Sequence, residues 1–186
     1  NGSAIEVDMM QKTDSVNYQS NDNFSCIEMP YGRGNYNMVV LLPNEGKKCA
    51  DVIQSLTPEN WAELMRTFVM TKDVSIWLPK FKDEYEVKLN DGLSAMGMEV
   101  AFTPEADFSG INGDGGIYID YVQHNTFIDV NEKGTEAAAA TVVAIKENAM
   151  PMSPKFHVNR PFIFAITEKE TDAILFIGKM TEPKYE

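Results

Sequence analysis

The sequence predicts an α+β domain, with mixed multi-strand sheets and two or three helices inserted between strands. Three observations predict it. Residues 38–42 form a continuous apolar run closed by Pro43, Asn44 and Gly46, which suits a strand buried on both faces. Val74, Ile76 and Leu78 alternate with Ser75 and Trp77, the two-residue period of a strand. Between these stretches, residues 49–70 change to helical spacing.

In chain order, the first thirty residues are polar and carry short strand-like pieces, "IEVDMM" and "FSCIEMPY". After the apolar run, "CADVIQSL" places Val52, Ile53 and Leu56 together on one helix. Thr57, Pro58 and Glu59 read as the cap and first turn of a second helix, which buries Trp61, Leu64, Met65 and Phe68. Pro79 marks an end, edge or bulge of the strand in "DVSIWLPKFK". "EVKLNDGLSAMGM" begins as a strand and becomes a short helix broken at Gly97, and "INGDGG" is a turn cluster without calcium-loop spacing. Residues 117–134 are rich in β-branched and aromatic residues and predict one long strand. "RPFIFAIT" and "AILFIGKM", joined by the polar "EKETDA", predict a closing hairpin.

Composition excludes several function classes. At 186 residues the chain suits one sizeable domain, and its 44% hydrophobic and 24% charged content is ordinary for a globular protein. No run of about 18 apolar residues exists, so no membrane-spanning helix is expected. A net charge of −12 argues against a nucleic-acid partner, whose phosphates it would repel. Cys26 and Cys49 are too few for a disulfide framework or a zinc site; they are two buried thiols or a single bridge. With only His124 and His157 beside them, no metal and no cofactor are expected. No Gly-x-Ser-x-Gly elbow is present, so a hydrolase has no nucleophile motif to build on and no catalytic residue is assigned. The opening "NGSAIEVDMM" has neither the basic nor the apolar region of a signal peptide.

The segment "NEKGTEAAAATVVAIKENAMPMSP" mixes the best helix former with strand-favouring Thr and Val and lacks any large side chain for much of its length. One reading is a surface helix, with Thr135 as its N-cap, Glu136 near the positive end of the dipole and Lys146 further along. In the other, Gly134 allows a hinge, and the small residues enter a sheet as an added strand after first lying exposed. Insertion would then release stored free energy.

"NEKGTEAAAAT" resembles the reactive-loop hinge of inhibitory serpins, and "FHVNRPFIFAI" resembles that family's signature just after the loop. "VVLLPNEG", "WLPKFK", "FTPEADFSGI" and "LFIGKMTEP" follow the same family in order across nearly the whole chain. The resemblance covers only the carboxy-terminal half of a serpin, so the amino-terminal half of the same protein is an expected partner. It makes residues 1–186 part of one serpin domain, with the reactive loop at 132–155. It implies suicide inhibition of a serine or cysteine protease, and an extracellular or cell-envelope location. Glu132, Gly134, Thr135, Glu136, Ala137, Ala138, Ala139 and Ala140 fall on the hinge. Lys80 is placed to pair with Glu132 at the sheet's opening, and His124 matches a histidine buried beneath it. The bait bond is expected at Asn148–Ala149, with Ala149–Met150 and Lys146–Glu147 as alternatives. The apolar residues around it lean toward an elastase- or subtilisin-like target, and Lys146 toward a trypsin-like one.

Overall fold

The structure is a computed structural model that describes residues 4–31, 33–132 and 154–185. Its residues group into two compact units, 1–81 with 129–186, and 82–128.

The first unit is built on a seven-stranded sheet. Strands β1 (Met9–Ser20), β2 (Phe24–Tyr31), β3 (Tyr36–Pro43), β4 (Val69–Pro79), β7 (Lys155–His157), β8 (Phe162–Glu168) and β9 (Ile174–Met180) lie in the order β7-β4-β1-β2-β3-β8-β9. All neighbours are antiparallel except β4 and β7. The central position of β3 explains its unbroken apolar run, since residues 37–43 are all buried. Its two faces meet different partners. Cys26, Val39, Leu41, Ile163 and Ala165 pack under helices α1 (Cys49–Ser55) and α2 (Pro58–Arg66), with Cys49, Val52 and Leu64 buried among them. Across the sheet, Phe81 contacts the rings of Phe162 and Phe164, with centroids 5.7 and 5.3 Å away.

Both helices form where helical spacing predicted them. Thr57 caps α2 by accepting the Asn60 N–H at 3.2 Å, and Pro58 fills the first position, where no N–H is needed. Trp61, Met65 and Phe68 pack against the core beside buried Leu64. Ile53 departs from expectation: it is 47% exposed, because α1 turns only Cys49 and Val52 fully inward. Strand β1 is much longer than "IEVDMM" suggests. Its polar residues 11–15 form a strand because β4 lends them a ladder, with a bulge between Asp14 and Val16.

The second unit contains most of β5 (Phe81–Lys88) and β6 (Gln123–Val130), which pair as a two-stranded sheet. Between them come α3 (Asn90–Leu93), a π-helical turn over Ser94–Met98, a 3-10 turn over Glu99–Phe102 and α4 (Ser109–Asn112). Gly97, at φ +99°, makes the expected break. Asn112 Oδ1 accepts the Asp114 and Gly115 N–H groups, so "INGDGG" is a turn as expected.

The strand predicted over 117–134 is shorter: among the described residues of that span, only 123–130 are strand. Other partners satisfy the backbone before it. Ile119 N–H donates to Ala101 O, Leu89 N–H to Val122 O, and the Asn90 amide engages both Asp120 O and Val122 N–H. The predicted hairpin forms as β8 and β9, and Glu168 accepts Glu170 N–H, Thr171 N–H and the Thr171 hydroxyl across its turn.

Cys26 and Cys49 are free, buried thiols. The cross-strand row Cys26, Leu41, Ile163, Lys179 sets Cys26 three strand spacings, about 14 Å, from Lys179. Burial raises the Cys49 thiol, and the positive charge of Lys179 partly offsets it. Burial also raises the Cys26 thiol well above its ordinary range, with Glu28 adding to the effect.

Candidate functional site

The expected site is a segment held at both ends, and the structure describes the two ends. At its start, β6 finishes on buried Val130, and Glu132 follows within two residues. β4 finishes on Pro79, which leaves Lys80 between two strands. The Lys80 N–H donates to Asp8 O at 2.8 Å, fixing the backbone from which its side chain leaves. Lys80 Nζ then reaches Glu132 Oε1 at 2.8 Å. Lys80 and Glu132 are thus brought together, as the resemblance implied. Their hydrogen bond holds the Glu132 carboxyl below its usual range and the Lys80 ammonium above its own.

At the far end, Pro154 O accepts the Ser75 N–H at 2.9 Å, and β7 runs parallel to β4 through Ser75–Lys155, Ile76–Phe156 and Trp77–His157. Lys155, expected as the last loop residue, therefore belongs to a strand. Buried Phe156 and Val158 pin this short strand from inside. Outside, the Trp77 and His157 rings lie 5.4 Å apart, and Val158 N–H donates to Trp77 O at 2.9 Å. Arg160 Nε donates to Pro43 O at 2.7 Å and locks the following turn. These contacts use Phe156, His157, Val158 and Arg160 of "FHVNRPF".

Between the ends, residues 133–153 lie outside the described residues. Gly134, Thr135, Glu136, Ala137, Ala138, Ala139, Ala140, Lys146, Glu147, Asn148, Ala149 and Met150 fall there. His124 lies on β6 in the second unit and is exposed in this chain, whereas the resemblance buries it in a complete molecule of which this chain is the carboxy-terminal half. Sequence reasoning missed Asp8 and Tyr185, the other neighbours of Lys80. Tyr185 stands in a polar stretch, and Asp8 acts through its backbone carbonyl as well as its charge, so neither belongs to a motif. Among the described residues, no group of three His, Cys, Asp or Glu side chains could hold a metal ion. No helix among them is long and apolar enough to cross a membrane.

Both described ends are thus fixed, one by the Lys80–Glu132 ion pair and the other by the pairing of β7 with β4. Residues 1–183 match the family profile described as Serpin (serine protease inhibitor).

The chain belongs to the serpin family.

A serpin-like protein of Thermococcus kodakarensis is 42% identical over 190 residues, which cover 99% of this chain and 43% of the relative. Tengpin, a thermophilic serpin solved in its native state, superposes with a TM-score of 0.79 at 37% identity, over 95% of this chain and 46% of that one. Thyroxine-binding globulin in complex with thyroxine superposes at 0.81 with 29% identity, over 96% of this chain and 47% of that one. The chain thus spans about half the length of the serpins it matches, and corresponds to their carboxy-terminal portion. Serpins are generally protease inhibitors rather than enzymes.

Proposed function

We propose that the complete protein inhibits a serine or cysteine protease by suicide cleavage of the loop at 132–154. The protease attacks a bait bond, Asn148–Ala149 in the preferred register, and forms an acyl-enzyme. The freed loop then inserts as a strand of the central sheet and drags the bound protease with it. At about 3.3 Å per residue, roughly fifteen inserted residues carry the enzyme on the order of 50 Å. Catalytic geometry tolerates little of this, since a misplacement of about 1 Å can cost about a hundredfold in rate. Deacylation stalls and the enzyme stays trapped.

The observation that carries this reading is the hinge sequence. From Gly134 to Thr141 every residue except Glu136 is small or β-branched, and none is proline, so all but one can slide between strands without conflict. The Lys80–Glu132 pair supports it by fixing Glu132, two residues before Gly134. Ala149–Met150 and Lys146–Glu147 are the alternative bait bonds. Met150–Pro151 is a poor one, because proline after the scissile bond obstructs most serine proteases. An extracellular or envelope location, near such proteases, belongs to the same proposal.

A second reading is a non-inhibitory binding protein, favoured by the likeness to thyroxine-binding globulin in its complex with thyroxine. Incubating the complete protein with elastase-, subtilisin- and trypsin-like enzymes separates the two. A covalent complex that survives denaturant, its released fragment beginning at Ala149, is the expected result. Cleavage without any complex would overturn inhibition and favour the binding protein.

A further inference from the structure

We propose that Tyr185 is a positioning residue of the loop hinge: its ring and the Glu132 carboxylate together hold the Lys80 ammonium, so the carboxy-terminal tail tightens the hinge's base. This rests on reading Glu132 as the start of that hinge. Three chain segments converge on Lys80. Asp8 O takes its backbone N–H at 2.8 Å, Glu132 Oε1 lies 2.8 Å from Nζ, and the Tyr185 ring centroid lies 5.6 Å from the same Nζ.

The ion pair by itself is a weak clamp. The Glu132 side chain is 60% exposed, so water competes for both charges, and a lysine's flexible stem samples many orientations. An aromatic face supplies what the carboxylate cannot. It attracts the ammonium through the ring quadrupole and shields the aliphatic stem, while the N–H donors stay available to Glu132. The two attractions act on one ammonium without competing, so losing the ring loosens the pair although Glu132 is untouched. Glu132, Asp8 and the Tyr185 phenol are the acidic groups whose charge acts on Lys80.

The test uses the complete protein carrying Tyr185→Ala, Tyr185→Leu, Tyr185→Phe, Glu132→Gln, or Tyr185→Ala with Glu132→Gln. The first readout is the Glu132 carboxyl titration followed by carbon-13 NMR. Ala and Leu at 185 should raise its proton affinity about two- to five-fold toward an ordinary carboxyl, whereas Phe, which keeps the ring face, should leave it unchanged. If Leu matches Tyr, the contact is packing alone and the proposal is overturned; that comparison stands even if the Ala variant fails to fold. The second readout is the ratio of cleaved to trapped inhibitor. Tyr185→Ala should shift it about two- to five-fold in the same direction as Glu132→Gln, and add nothing in the double variant. Additive effects would overturn the coupling. If even the unaltered protein traps no protease, the inhibitory reading fails while the titration still decides the role of Tyr185.

Discussion

Gly178 stands where no side chain fits. A Cβ built there would lie 2.5 Å from the Phe164 ring, which the opposite strand presses against it and which is itself buried. Gly178→Ala is therefore expected to cost about 1–3 kcal/mol through overpacking, read as a lower urea midpoint. Glu168 makes a different demand. Its bonds to the Thr171 hydroxyl and the turn N–H groups hold its carboxyl below the ordinary range near about 4.3. A depressed folded value means that this contribution is present above the unfolded pKa and lost as pH falls through the folded one. Acidification below about pH 4 should thus weaken the β8–β9 turn, and Glu168→Gln should remove that part of the acid sensitivity in paired urea titrations. Thr135 belongs to the proposed mechanism. A charge or proline there, as in Thr135→Arg or Thr135→Pro, should convert the complete protein from inhibitor to substrate, seen as loss of the denaturant-resistant complex while cleavage persists. Residues of this kind differ in how readable they are. The Lys80–Glu132 pair follows only from the family resemblance, whereas the need for glycine at 178 arises from a neighbour fourteen positions away.

At the scale of elements, local pattern predicted what local forces build. β3, α1, α2 and the β8–β9 hairpin follow from an apolar run, helical spacing, a cap and a turn. Thr57→Ala should cost α2 about 1 kcal/mol by orphaning the Asn60 N–H, measurable as a drop in the chain's unfolding free energy. What escaped prediction is non-local. The polar part of β1 is a strand because β4 and, toward its end, β2 flank it, and residues 117–122 are not one because Ala101, Leu89 and Asn90 take their backbone groups first. The same logic explains His124. Its strand was predicted, but its exposure depends on which strands and layers surround it.

Taken as a whole, the chain carries a seven-stranded sheet and a two-stranded one, and leaves apolar surface open. Ile174, Leu175, Phe176 and Ile177 on β9 are 40–59% exposed, and in the second unit Met96 and Ile111 are more exposed still. Such patches mark surfaces that want a partner. The chain alone is expected to bind a hydrophobic dye strongly, and the complete protein, per molecule, much less. Equal binding would show that the amino-terminal half leaves these side chains uncovered.

Inhibition by the proposed route requires the intact loop to hold free energy that cutting it releases. Thermal unfolding of the complete protein before and after a single cut within residues 142–150 tests this directly. A large rise in melting temperature is expected once the freed hinge joins the sheet. An unchanged or lower melting temperature would contradict it.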